Sequence, residues 1–218
     1  MIDNAGLLDV PDDIVDFNRW AKARGWSDGL PLIPPTPTRV QAFLDRDGGD
    51  PARTIALLAP RYSAATVQLI ATNAVMAGCE PDCIDVLIAV VAAIADPSFN
   101  LHGAQPTTHP CTVMVMVNGP RARELGIQAS SGLFGPGFPA NATIGRAVRL
   151  ILQNIGGAHP GVTDLATQGS PAKFTFCFAE NEADSPWEPY HVRLGHAANA
   201  STVTVVAAEG PHNINDHV

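Results

Sequence analysis

Two neighbouring stretches constrain the fold most, because neither offers water a polar face. Residues 63–77 carry Val67, Leu69, Ile70, Val75 and Met76; residues 82–95 carry Ile84, Val86, Leu87, Ile88, Val90, Val91 and Ile94. Both read as helices, joined by Gly78-Cys79-Glu80-Pro81. A helix that is apolar nearly all round has to be central, so the rest of the chain is expected to wrap these two. With 218 residues, 46% of them apolar, there is material for one substantial core. Residues 111–117, 173–179 and 201–207 read as strands. In the second, Phe174, Phe176 and Phe178 alternate with Thr175, Cys177 and Ala179, the period of a strand with two different faces. So few strands among helices, without a βαβ rhythm, predict an α+β domain that is helix-rich, with a small sheet of about three strands.

Ahead of the core, residues 1–60 are expected to form an N-terminal part packed on a main domain of residues 61–218. Residues 11–26 read as a helix, with Asp9 as cap and Pro11 in the first turn. Prolines 31, 34, 35 and 37 then forbid a helix and force an extended strap. Leu30, Leu32 and Ile33 would lay that strap on the core. A short helix over 37–44, capped by Thr36, and a turn at Asp47-Gly-Gly-Asp complete this part.

Residues 130–157, SSGLFGPGFPANATIGRAVRLILQNIGG, join a glycine- and proline-broken loop to an amphipathic helix. Ile144, Ala147, Val148, Ile151, Leu152 and Ile155 recur with helical spacing. Asn141 or Thr143 would cap the start, and Gly156-Gly157 the end. A glycine-rich loop feeding a helix N-terminus presents free N–H groups and a positive dipole end, which suits an anion. Arg146, in the first turn, would add a fork of donors.

Charge and cysteine usage narrow the function. A formal charge of −8 and a pI near 5.2 argue against nucleic acid and against an anionic membrane surface. The N-terminus has no basic segment followed by an apolar one, and the longest apolar run, 86–95, is only about ten residues, too short to span a bilayer. The chain is therefore expected in the cytoplasm, where Cys79, Cys83, Cys111 and Cys177 would stay reduced.

Polar side chains gather in four places beside strand ends or the glycine loop. Asn100, His102, Gln105 and His109 precede the 111–117 strand; Glu180, Asn181 and Glu182 follow the aromatic one. The third group is Trp187, Tyr190, His191, Arg193 and His196; the fourth is Glu209, His212, Asn213, Asn215, Asp216 and His217. Glu182 and His191 read as structural or solvated. His102, His109, Glu180 and His212 are the candidate catalytic acids and bases. Ser131, Asn141, Thr143, Arg146, Asn100 and Asn213 are the candidate substrate contacts. His212, His217 and Asp216 are candidate ligands for a divalent metal ion, although a five-residue histidine spacing matches no standard zinc motif. Residues 130–143 and 99–109 are expected to line one cavity, and the tail from His212 to fold inward toward them or to meet a second polypeptide.

The segments WSDGLPLIPPTPTRV, NAVMAGCEP, FNLHGAQPTTHP, VNGPRARELGI, GPGFPANATIGRA, TQGSPAKFTFCFAENE, SPWEPYHV and GPHNINDH together resemble an uncharacterised bacterial family. Its members resemble, and in places accompany, proteins with a UGSC or CGSC thiol or selenol motif, which this chain lacks. The resemblance implies no reaction and assigns no residues. It does imply that the chain matches the N-terminal part of longer members, or one subunit of a split protein. The expected function is an enzyme of small-molecule metabolism, a lyase or hydrolase acting on an anionic or polar substrate, metal-dependent or not. The alternative is a non-catalytic or redox-partner subunit of a complex with a UGSC-type polypeptide, in which Cys111 or Cys177 would matter. A homo-oligomer fits either reading.

Overall fold

A computed structural model describes residues 2–3 and 6–214. They form a single α+β domain with eight α-helices among the described residues. At the start, strands β1 (Ile2–Asp3) and β2 (Gly6–Leu7) pair antiparallel. Helix α1 (Ile14–Ala23) follows, shorter than the expected 11–26. Its cap is Asp13, which accepts from the amides of Val15 and Asp16, so Pro11 and Asp9 lie outside the helix. The strap is extended, as its prolines require, but of the three apolar residues expected to lay it on the core Leu30 and Ile33 are exposed. Leu32 is buried, and its backbone is held on both sides by the Asn18 amide, at 2.6 and 3.2 Å. Helix α2 (Pro37–Asp47) has Thr36 as cap and Gly48 in the left-handed region at its end.

The two apolar stretches do form the centre, with one correction. Residues 63–66 are not helical: β4 (Ser63–Thr66) pairs antiparallel with β3 (Thr54–Leu58). Thr66 accepts from the Leu69 amide and so starts helix α3 (Val67–Ala77) one turn later than the apolar pattern suggests. This hairpin also spans residue 60, the expected end of the N-terminal part. Helix α4 (Ile84–Ile94) buries Val86, Leu87, Val90, Val91 and Ile94 but exposes Asp85, Ala89 and Ala92. Its polar-poor outer face is small alanine rather than bulky side chains, so the exposure is cheap.

Short helix α5 (Leu101–Ala104) leads to β5 (Thr112–Asn118), which is followed by α6 (Pro120–Glu124) and the glycine loop. Helix α7 (Pro139–Asn154) begins with proline in its first turn and Phe138 at the cap position; neither Asn141 nor Thr143 caps it. Gly145 is the point where α7 meets the sheet: a side chain there would collide with Thr175 Oγ1 and the Phe176 amide. Strand β6 (Cys177–Ala179) is much shorter than 173–179, because residues 171–173 form a 3-10 turn opened by Pro171. After α8 (Tyr190–Arg193), β7 (Thr202–Ala208) completes a sheet of order β6-β5-β7. β5 runs parallel to β6 and antiparallel to β7. Val113, Val115 and Val117 of β5 are buried; α7 packs on β5 and α4 on β7, with α3 packed against α7.

Candidate functional site

The structure uses most of the expected site residues as scaffold. Asn141 is buried, and its amide is fully committed to the glycine loop. Its Oδ1 accepts from the Gln128 amide (2.8 Å), and its Nδ2 donates to the carbonyls of Gln128 (3.0 Å) and Leu133 (3.2 Å). Thr143 turns its hydroxyl back to the Pro139 carbonyl, a bond within the helix. Arg146 is not a free fork. Its Nε and Nη2 clasp both oxygens of Asp28 at 2.8 and 2.9 Å, and Nη2 also donates to the Pro31 carbonyl. Asp28 and Arg146 stand 118 residues apart in sequence, and together they tie the strap to α7. The Ser131 side chain is exposed, and its carbonyl accepts from Gln128.

The candidate histidines His102 and His109 have separate partners. His102 is exposed and stacks on Tyr62, with Nδ1 3.1 Å from the phenol oxygen. His109 lies at the surface, 3.6 Å from Glu209. Asn100, at a left-handed φ of 55°, caps the one-turn helix α5 through the Gly103 amide. Of five cavities among the described residues, none is lined by both the 99–109 and 130–143 loops. His212 and Asn213 are exposed rather than folded inward, and Asp216 and His217 lie outside the described residues. Among the described residues no three His, Cys, Asp or Glu groups are placed to hold a metal ion.

Glu180 and Glu182 form a structural knot at the ends of β5 and β6. Asn118 donates to both carboxylates; Glu180 also accepts from the Tyr190 amide and Glu182 from the Gly119 amide. Glu182 is thus not the solvated turn residue its sequence suggests. His191, expected to be structural, is buried behind it with Nδ1 3.7 Å from Glu182 Oε1.

The arrangement with chemical potential lies elsewhere. A cavity of about 490 Å³ opens between the C-terminal half of α7 and residues 160–174. That size suits a small organic ligand. Arg149 and Gln153 reach it from α7, Asp164 and Ser170 from the loop, and Lys173 from the 3-10 turn, with exposed Phe174 at the rim. Arg149 Nη1 and Lys173 Nζ approach the same oxygen, Asp164 Oδ2, at 3.2 and 2.9 Å. Lys173 also donates to the Cys111 carbonyl (2.9 Å) and Arg149 Nη2 to the Ala158 carbonyl (3.1 Å). Burial pushes the Arg149 guanidinium below its ordinary value, and Asp164 pulls it back. Arginine stays charged regardless. Two cations therefore share one carboxylate. The other acid at the wall, Asp28, is already spent on Arg146. Ser170 Oγ and Gln153 Oε1 are buried without a hydrogen-bond partner.

Little in the sequence marks this site. Lys173 is one of only two lysines, and Arg149 borders the apolar stripe of α7, where a cation must be paired once buried. Asp164 sits in a loop with no motif. Cys83 and Cys177 offer no reactive thiol on the scaffold. Burial raises the Cys177 thiol, and a hydrogen bond with Cys79 followed by burial raises that of Cys83, so neither ionises near neutral pH. Among the described residues no single helix is long and apolar enough to cross a membrane. No protein-family model, curated protein or solved structure matches the chain.

Proposed function

We propose that the protein is a cytoplasmic enzyme of small-molecule metabolism that takes a small organic anion in the Arg149–Lys173 cavity. The observation that carries this reading is the charge balance: one carboxylate, Asp164, between two largely buried cations. An anionic group seated there would meet unspent donors. An ammonium carries three N–H bonds and a guanidinium five, more than Asp164 and the two carbonyls take up. The Ser170 hydroxyl and the Gln153 carbonyl oxygen supply a neutral donor–acceptor and an acceptor on the same wall.

Lys173 is the group able to donate a proton, to a leaving oxygen or nitrogen in a lyase or hydrolase reaction. Asp164 fixes its position, and Arg149 holds the substrate charge. A divalent metal does not fit this donor set, since both carboxylates at the cavity already face cations. The test is calorimetric titration of the full chain with succinate and with its neutral diamide. Binding of the dianion alone supports the reading. Equal affinity for both, or none for either at millimolar concentration, rejects it.

A further inference from the structure

A second cavity, of about 190 Å³, opens between α3, the β3–β4 hairpin and the last turn of α7. It shares no lining residue with the first. Its floor is buried: Thr72, Asn73, Met76 and Ile155. Its walls are the half-buried Trp26 and Leu69. The mouth is exposed and carries Arg61 and Ala64. Lined inside by Met76, Ile155, Leu69 and Trp26 beside the polar Thr72 and Asn73, and cationic at the mouth, the pocket is graded for an amphipathic guest.

Three details define that guest. Arg61 has no carboxylate partner among the described residues, although the chain is strongly acidic. Its side chain is nonetheless placed, lying across Gly157 so closely that any side chain there would overlap it. Its backbone is anchored by a 3.0 Å bond from the Arg61 amide to the Gly156 carbonyl. Deeper in, Asn154 Nδ2 donates to the Trp26 carbonyl (3.2 Å) and to Asn73 Oδ1 (2.8 Å), which fixes the amide. Asn154 Oδ1 is then left buried without a donor, a state that carries a desolvation penalty unless something supplies one. The volume is small, about six waters' share of the liquid at about 30 Å³ each, enough for one ring with a short arm.

We propose that this cavity binds a small aromatic carboxylic acid whose ring bears a hydrogen-bond donor. The carboxylate pairs with Arg61, the ring packs between Trp26, Leu69 and Met76, and the donor meets Asn154 Oδ1. The site is independent of the anion cavity, and the two can stand or fall separately.

The probe is 4-hydroxyphenylacetate, titrated calorimetrically into the full chain beside 2-(4-hydroxyphenyl)ethanol, which lacks the charge. The acid is expected to bind, and Arg61→Gln to weaken it by about tenfold while leaving the weaker alcohol unchanged. Ala64→Phe, at an exposed position on the mouth, is expected to abolish binding of both without lowering the unfolding midpoint. Lys173→Gln is expected to leave the acid's affinity as it is. The proposal is overturned if the acid does not bind at millimolar concentration, if Arg61→Gln has no effect, or if Lys173→Gln weakens the acid as much as Arg61→Gln does.

Discussion

Arg146 and Arg149 stand three residues apart on the same helix and meet opposite electrostatic situations. Arg146 is matched one to one: Asp28 closes over its fork, and the Pro31 carbonyl takes a further N–H. Arg149 shares Asp164 with Lys173. The first arrangement is a fastener, with its charge satisfied and its geometry fixed by the strap it holds. The second is under-compensated by one negative charge and borders open space. A buried cation marks a site only when its partner has been divided with another cation; a buried arginine by itself marks only a joint.

That contrast can be broken at its stronger end first. Asp28→Asn should strand Arg146 and cost about 3–5 kcal/mol in urea unfolding, the usual penalty for removing one partner of a buried pair. Succinate affinity of the folded protein should not fall, because Asp28 acts on Arg149 only through space and its removal takes a negative charge away from the cavity wall. A near-neutral change in stability would mean that the fastener is solvated. Next in size, Asn141→Ala removes three hydrogen bonds from the glycine loop and leaves the Gln128 N–H unpaired, while the Gln128 carbonyl keeps the Ala179 amide. It should destabilise by about 1–3 kcal/mol while anion binding is kept. Loss of binding at unchanged stability would return Asn141 to the site. Lys173→Gln should reverse that pattern, weakening succinate by about tenfold, or about 1.4 kcal/mol, with the smaller effect on the unfolding midpoint.

The smallest effect concerns His159, whose folded pKa is lowered by burial first and then by the charges of Arg61 and Arg149. The unfolded chain takes up this proton near the ordinary histidine value of about 6.5, before the folded chain does. Stability is therefore complete above that pH and falls as the pH drops from there through the lowered folded value. His159→Gln should flatten this part of the stability profile measured by urea unfolding between pH 7 and pH 5. Saturating succinate should also flatten it, by offsetting the charge of Arg149. An unchanged slope in the variant would assign the loss to other groups.

The fold was more legible than the site, and for physical reasons. Helices α3, α4 and α7 announce themselves because a long apolar period has few alternatives. Thr36 is recognisable as a cap because proline follows it. Hairpin β3–β4 was hidden: Ser63-Ala-Ala-Thr continues the small, apolar character of α3, and only tertiary pairing with Thr54–Leu58 makes it a strand. The aromatic alternation of 173–179 overstated β6, because periodicity does not register the 3-10 turn opened by Pro171. Polar motifs drew attention to His102, Asn141 and Arg146, yet each is answered by a neighbour far away or across a loop, such as Tyr62, Gln128 and Asp28. The anion cavity needed Arg149, Asp164 and Lys173 brought together from a helix, a loop and a turn, and no spacing in the sequence records that meeting.

The central claim is that Asp164 is all that stands between two cations and a bound anion. Asp164→Asn tests it most directly, with succinate affinity and thermal midpoint measured side by side. The variant is expected to melt lower than the parent without ligand, to bind succinate at least about tenfold more tightly, and to recover its midpoint as succinate is added. Unchanged or weaker succinate binding in folded Asp164→Asn protein would contradict the account, because the freed charges of Arg149 and Lys173 would then not be what receives the anion.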